Sequence, residues 1–136
     1  MIRRSLALPV LALLLCSCGG GQLSKKELQK DVESIQSLAA EGALVARDAA
    51  DGSTTDVFVR VHSQYLQKAA DKVEQKLSSA HASGSLDADR AKAQRLAARV
   101  ADELGRLHAH PGCRARAAQL AGSLDDDAKT AEELAK

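Results

Sequence analysis

The sequence predicts an all-α protein, an antiparallel up-down bundle of three long helices plus a fourth that is either continuous or kinked at Gly122. Three observations lead there. Apolar residues recur at alternating steps of three and four from residue 24 to the end, the spacing that lines one face of a helix. Short turn signals at Asp51-Gly52, Ser83-Gly84-Ser85 and His110-Pro111-Gly112 cut this pattern into segments of helical length. No strand pattern competes, because the one β-leaning cluster, Val57-Phe58-Val59, is short and lies inside a helical stripe. Connections of only a few residues make consecutive helices antiparallel neighbours.

The first helix opens on Ser24-Lys25-Lys26-Glu27, a capping box in which the serine hydroxyl and the glutamate carboxylate satisfy free amides at a helix start. Its stripe is Leu28, Val32, Ile35, Ala39, Gly42, Ala46 and Ala49, widened by Leu38 and Val45. The small residues in the middle, Ala39, Gly42 and Ala46, let a neighbouring helix come close, and Asp51-Gly52 ends the segment. Ser53 to Asp56 starts the second helix, whose expected stripe is Phe58, Val61, Tyr65, Ala69, Val73, Leu77 and Ala80. Ser85 or Asp87 caps the third, striped by Ala93, Leu96, Val100, Leu104 and Leu107. Pro111 is placed to open the fourth, which carries Cys113, Ala117, Leu120, Leu124, Ala128, Ala131 and Leu134. Phe58 and Leu104 sit centrally on their stripes and are expected to be core residues. At about 1.5 Å per residue, helices of about 25 residues span roughly 37 Å, so the rod is long and its alanine-rich core thin.

Ahead of this bundle stand Arg3 and Arg4, an apolar run from Leu6 to Leu15 interrupted by Pro9, and then Leu15-Cys16-Ser17-Cys18. A charged start, a short apolar stretch and small residues at its end form a secretory signal, and the run is too short to span a bilayer as a helix. The stretch resembles the signal of bacterial lipoproteins, in which a leucine and two mostly small residues precede the cysteine that is modified. Leu15, Ser17 and Cys18 match that pattern, and Cys16 departs from it while remaining small and uncharged. The resemblance implies diacylglyceryl transfer to the Cys18 sulfur, cleavage before Cys18 and acylation of the new amine. Cys16 is the competing position, but Leu14-Leu15 before it fits the small-residue requirement poorly. Each buried CH₂ of an acyl chain contributes about 0.8 kcal/mol, so two or three chains make a stable anchor. The expected organisation is a signal peptide over 1–17, a lipidated cysteine and flexible tether over 18–23, and one helical domain over 24–136.

Composition excludes several classes of function. The chain holds 19 basic and 18 acidic residues; without Arg3 and Arg4 the balance is 17 against 18, or −1, which argues against binding nucleic acid electrostatically. Phe58 and Tyr65 are the only aromatics, too few for base- or sugar-stacking sites. With Cys18 acylated and Cys16 removed, Cys113 is the one thiol left, so no intramolecular disulfide can form.

Candidate sites are few. His108, His110 and Cys113 place two imidazoles and a thiol within six residues, donors suited to a soft transition metal, and the bundle puts them at the same end as Asp48, Asp51 and Asp56. The plainer reading is a polar turn with Cys113 as a small apolar residue. No histidine follows a glutamate by three residues, as di-iron bundles require, and no serine carries a nucleophile motif. His62 reads as an interface or half-buried histidine. Asp125-Asp126-Asp127 suits the dipole of a helix start and lacks calcium-loop spacing. Lys136 matches a terminal lysine through which some helical envelope lipoproteins join peptidoglycan, and it equally complements the helix dipole. The expected protein is a non-catalytic helical module without a cofactor, held by a lipid anchor on the extracytoplasmic side of the membrane. Its role is structural or in binding an envelope protein; the second reading is a metal- or small-ligand-binding lipoprotein using the 108–113 turn.

Overall fold

The computed structural model describes residues 21–136. Four helices run up and down in sequence, α1 (Lys25–Asp51), α2 (Asp56–Ser79), α3 (Ser85–Ala109) and α4 (Arg114–Leu134). The described residues form no strand, only an isolated bridge between Gln22 and His81. The four helices do not pack evenly. α1 lies closely along α4 and α2 along α3, the α1–α2 and α3–α4 seams are thinner, and α1 meets α3 across the middle of a rhombus-shaped section.

Sequence chemistry explains the ends. Ser24 Oγ accepts from the Glu27 N–H at 3.2 Å, and the Ser24 N–H donates to Glu27 Oε2 at 2.8 Å, closing the capping box. That backbone bond, ahead of the side-chain bond to Ser24, holds the Glu27 carboxyl below its ordinary value. Gly52 ends α1 at φ 70°, a left-handed conformation that a side chain would strain. Thr55 caps α2 by accepting from the Phe58 N–H at 3.2 Å. The cap of α3 is Gly84 rather than Ser85 or Asp87; its φ of 61° suits glycine, and Asp87 sits in the first turn paired with Arg90 at 2.9 Å. Pro111 is buried in the α3–α4 turn, and α4 begins only at Arg114. α4 then runs unbroken through Gly122, because Leu120, Ala121 and Leu124 on either side are packed into the core. At the start of the described chain Leu23 is buried and its N–H donates to the His81 carbonyl at 2.8 Å. This end of the expected tether is therefore fixed to the α2–α3 turn.

The core is aliphatic throughout. Ile35, Leu66, Leu77, Leu104, Leu107 and Leu124 are its largest fully buried side chains, set among alanines. Gly42 on α1 faces both α3 and α4, where an added methyl group would stand 2.6 Å from Leu104 Cδ2 and 3.3 Å from Leu124 Cδ1. The close approach expected of Ala39, Gly42 and Ala46 is present.

One stripe differs from expectation. The buried face of α2 is Val59, Ser63, Leu66, Ala70 and Leu77, and Phe58 is not a core residue. Phe58 is 47% exposed, Val61 63% and Tyr65 68%. The reason is the width of the seam. A small face carrying Ser63 and Ala70 lets α2 lie closely along α3, which Phe58 and Tyr65 would prevent. The buried Ser63 hydroxyl is satisfied locally by donating to the Val59 carbonyl at 2.5 Å.

Candidate interaction surface

The turned-out face of α2 is the most distinctive surface on the molecule. Val57, Phe58, Val61 and Tyr65 follow one another at steps of one, three and four, so they form one stripe on the side of α2 away from Val59, Leu66 and Leu77. Both aromatics of the protein lie in it. His62 borders the stripe on the α1 side, half-buried as expected of an interface histidine. Its ring stacks on Phe58 with centroids 5.2 Å apart, and its Nε2 lies 2.7 Å from Glu41 Oε1. That contact with α1 fixes the rim of the stripe against the rest of the bundle. Beyond Tyr65 the same outward face continues into Lys68 and Lys72, whereas the last turn of α1, at the other end, carries Asp48 and Asp51. None of these four charged groups has an ion-pair partner among the described residues.

A second constellation, absent from the sequence reading, lies between α3 and α4. Glu103 and Asp127 are both buried. Ser123 Oγ donates to Glu103 Oε1, and Arg99 holds Asp127 Oδ1 at 2.6–2.7 Å. Glu103 Oε2 and Asp127 Oδ2 are buried without a donor when both carboxyls are ionised. Burial raises the Glu103 carboxyl above its ordinary value, the Asp127 charge and hydrogen bond add to this, and the Ser123 bond opposes it. A proton on Glu103 donated to Asp127 satisfies both orphan oxygens at once. Glu103 also lines an open cleft of about 510 Å³ with Arg106, Arg116, Gln119, Leu120 and Ser123. The Ser123 hydroxyl is committed to Glu103 within this network. Asp31 on α1 makes a comparable partly satisfied contact, taking Lys76 Nζ at 2.7 Å while its other oxygen has no partner.

The other sequence-derived candidates fall apart in space. The two turns do share one end of the bundle, where Gly112 faces the Asp56 carboxylate and Gly52 faces the Arg114 guanidinium. Within that end His108 Nδ1 bonds the Arg60 carbonyl at 2.9 Å, His110 is exposed, and Cys113 is an exposed free thiol rather than a core residue. No three His, Cys, Asp or Glu side chains converge as a metal site among the described residues. Lys136 reaches Glu132 at 3.3 Å in an exposed pair one turn apart. Cys18 lies outside the described residues. No protein-family model, curated protein or solved structure matches the chain.

Proposed function

We propose that this chain is a membrane-anchored, non-catalytic helical module of the bacterial cell envelope that acts by binding protein. The observation that carries the role is the exposed Val57-Phe58-Val61-Tyr65 face, since the α2–α3 contact requires that face to point outward but does not require it to be apolar. Exposed apolar stripes rimmed by polar groups mark contact surfaces, with Tyr and Phe supplying most of the area. The location rests on Leu15-Cys16-Ser17-Cys18, and no described helix is long and apolar enough to cross a membrane. The two features fit together. The chain enters the bundle beside His81, and at about 1.5 Å per residue the face stands roughly 20–35 Å along α1 from that entry. An anchor at Cys18 presents the face away from the bilayer, toward other proteins.

The test is the intact mass of the processed protein from membranes. An acylated Cys18 followed by Gly19-Gly20-Gly21 is expected, with Cys18→Ala abolishing membrane retention. A detergent-free soluble protein that begins elsewhere, or acylation on Cys16, would refute the anchoring.

A further inference from the structure

We propose that the Val57-Phe58-Val61-Tyr65 face is the interface of a two-fold symmetric homodimer, in which α2 packs antiparallel against α2 of a second copy. The inference rests on the reading of this face as a protein-contact surface and names its occupant.

Area is the first argument. From the exposed fractions of these four side chains and the 150–250 Å² that an aromatic side chain presents, the stripe leaves roughly 450 Å² of apolar surface uncovered on each copy. Two such stripes face to face, with the aliphatic stems of Lys68 and Lys72 beside them, reach about 1,200 Å², the lower bound for a stable specific interface.

Charge is the second argument. The outward face of α2 carries the apolar stripe and then Lys68 and Lys72, while the last turn of α1, at the other end, carries Asp48 and Asp51. A two-fold axis at Val61 sets each helix against its reversed copy. Residues seven places after Val61 then lie level with residues seven places before it on the partner, which brings Lys68 to the partner's α1–α2 turn. Lys68 of each copy then lies level with the unpaired Asp51 that ends α1 of the other, and the pairing is isologous because the same surface supplies both halves. A parallel arrangement sets like charges together.

The experiment places a photo-activated benzophenone amino acid at Val61 of the full-length chain in intact cells, with the same group at the exposed α3 residue Ala98 as control. A covalent dimer of this chain from position 61, and none from 98, is the expected product. In that background Lys68→Asp with Lys72→Asp should lower the dimer yield by at least about tenfold, and adding Asp48→Lys with Asp51→Lys should restore it. A position-61 adduct to a different protein, without dimer, overturns the homodimer and leaves the protein-binding role standing. Adducts to lipid alone, or none, overturn both. A dimer indifferent to the charge reversals overturns the antiparallel two-fold arrangement.

Discussion

Three glycines lie inside helices of this bundle in different surroundings, so replacing each with alanine measures how closely the helices approach. Helix propensity favours alanine by about 1 kcal/mol at any of them. At Gly122 nothing lies within 4 Å of the new methyl group, so the full gain should appear, about 3–6 °C in melting temperature for a domain of this size. At Gly105 the methyl meets the flexible Gln67 amide at 3.0 Å, which can swing aside, and the change should be neutral or mildly favourable. At Gly42 it stands 2.6 Å from Leu104 Cδ2 and 3.3 Å from Leu124 Cδ1, two fully buried side chains held from all sides. Overpacking there costs about 1–3 kcal/mol, which cancels or outweighs the helix gain and leaves Gly42→Ala up to about 2 kcal/mol less stable than the parent. Chemical denaturation of the three variants should therefore rank Gly122→Ala above Gly105→Ala above Gly42→Ala. A double-mutant cycle completes the argument. Leu104→Ala removes the colliding atom, so Gly42→Ala in that background should become stabilising, a coupling of about 1–3 kcal/mol. If Gly42→Ala stabilises as much as Gly122→Ala, α1 does not meet α3 and α4 at this point and the rhombic packing is refuted.

Two further outcomes follow from burial. Leu104→Ala should destabilise by about 2–5 kcal/mol, whereas Phe58→Ala, half-exposed and stacked on His62, should cost less than about 1 kcal/mol; equal losses in thermal melts would mean that the α2 face has been assigned backwards. Glu103→Gln should stabilise the protein at neutral pH and leave it unchanged in acid. Because the folded-state value of this carboxyl is raised, its proton is kept by the fold and lost by the unfolded chain, so stability is full below the ordinary value of 4.5 and falls as pH rises through the raised one. Urea midpoints of parent and variant that differ equally at acid and neutral pH would remove Glu103 as the source. Glu27 acts in the opposite sense, its lowered value giving stability that is lost as pH falls through it.

Local rules carried the sequence reading where one residue decides a structure by itself. The Ser24–Glu27 box, the left-handed Gly52 and the turn glycine at 84 need no tertiary partner to be recognised. Gly122 and Pro111 show the limit of such rules. A single glycine weakens a helix by about 1 kcal/mol, less than the packing of Leu120 and Leu124 supplies, so the helix continues. The Glu103–Asp127 pair was not legible because its partners come from different helices. Asp127 reads equally well as a dipole-complementing acid within Asp125-Asp126-Asp127, and only the α3–α4 seam distinguishes it from its neighbours. The α2 phase was ambiguous for a different reason. Val59, Leu66, Ala70 and Leu77 form one stripe and Phe58, Val61 and Tyr65 begin another, and hydrophobicity alone favours the second. A signal was present nonetheless. The expected stripe continues from Tyr65 through Ala69 and Val73 only by drifting round the helix to Leu77 on the first stripe, while the face of Val61 and Tyr65 gives way to Lys68 and Lys72.

The choice of face on α2 is set by more than apolar burial. Rotating the helix to bring Phe58, Val61 and Tyr65 inward would turn Val59, Leu66 and Leu77 out to water, so apolar area alone does not decide the face. The observed face buries Ser63 beside Val59, Leu66 and Leu77, although a serine contributes little to a core. What it gains is close contact, since Ser63 and Ala70 keep the helix surface low enough for α2 to lie along α3 from Arg60 opposite His108 to Leu77 opposite Arg90. The outward face follows from that contact, but its composition does not. Lysine, glutamate or glutamine at 57, 58, 61 and 65 would leave the α2–α3 seam untouched and remove the liability of an exposed apolar stripe. On the proposed reading, two valines, a phenylalanine and a tyrosine there answer to a contact outside the monomer, which a second copy of the same strip would supply.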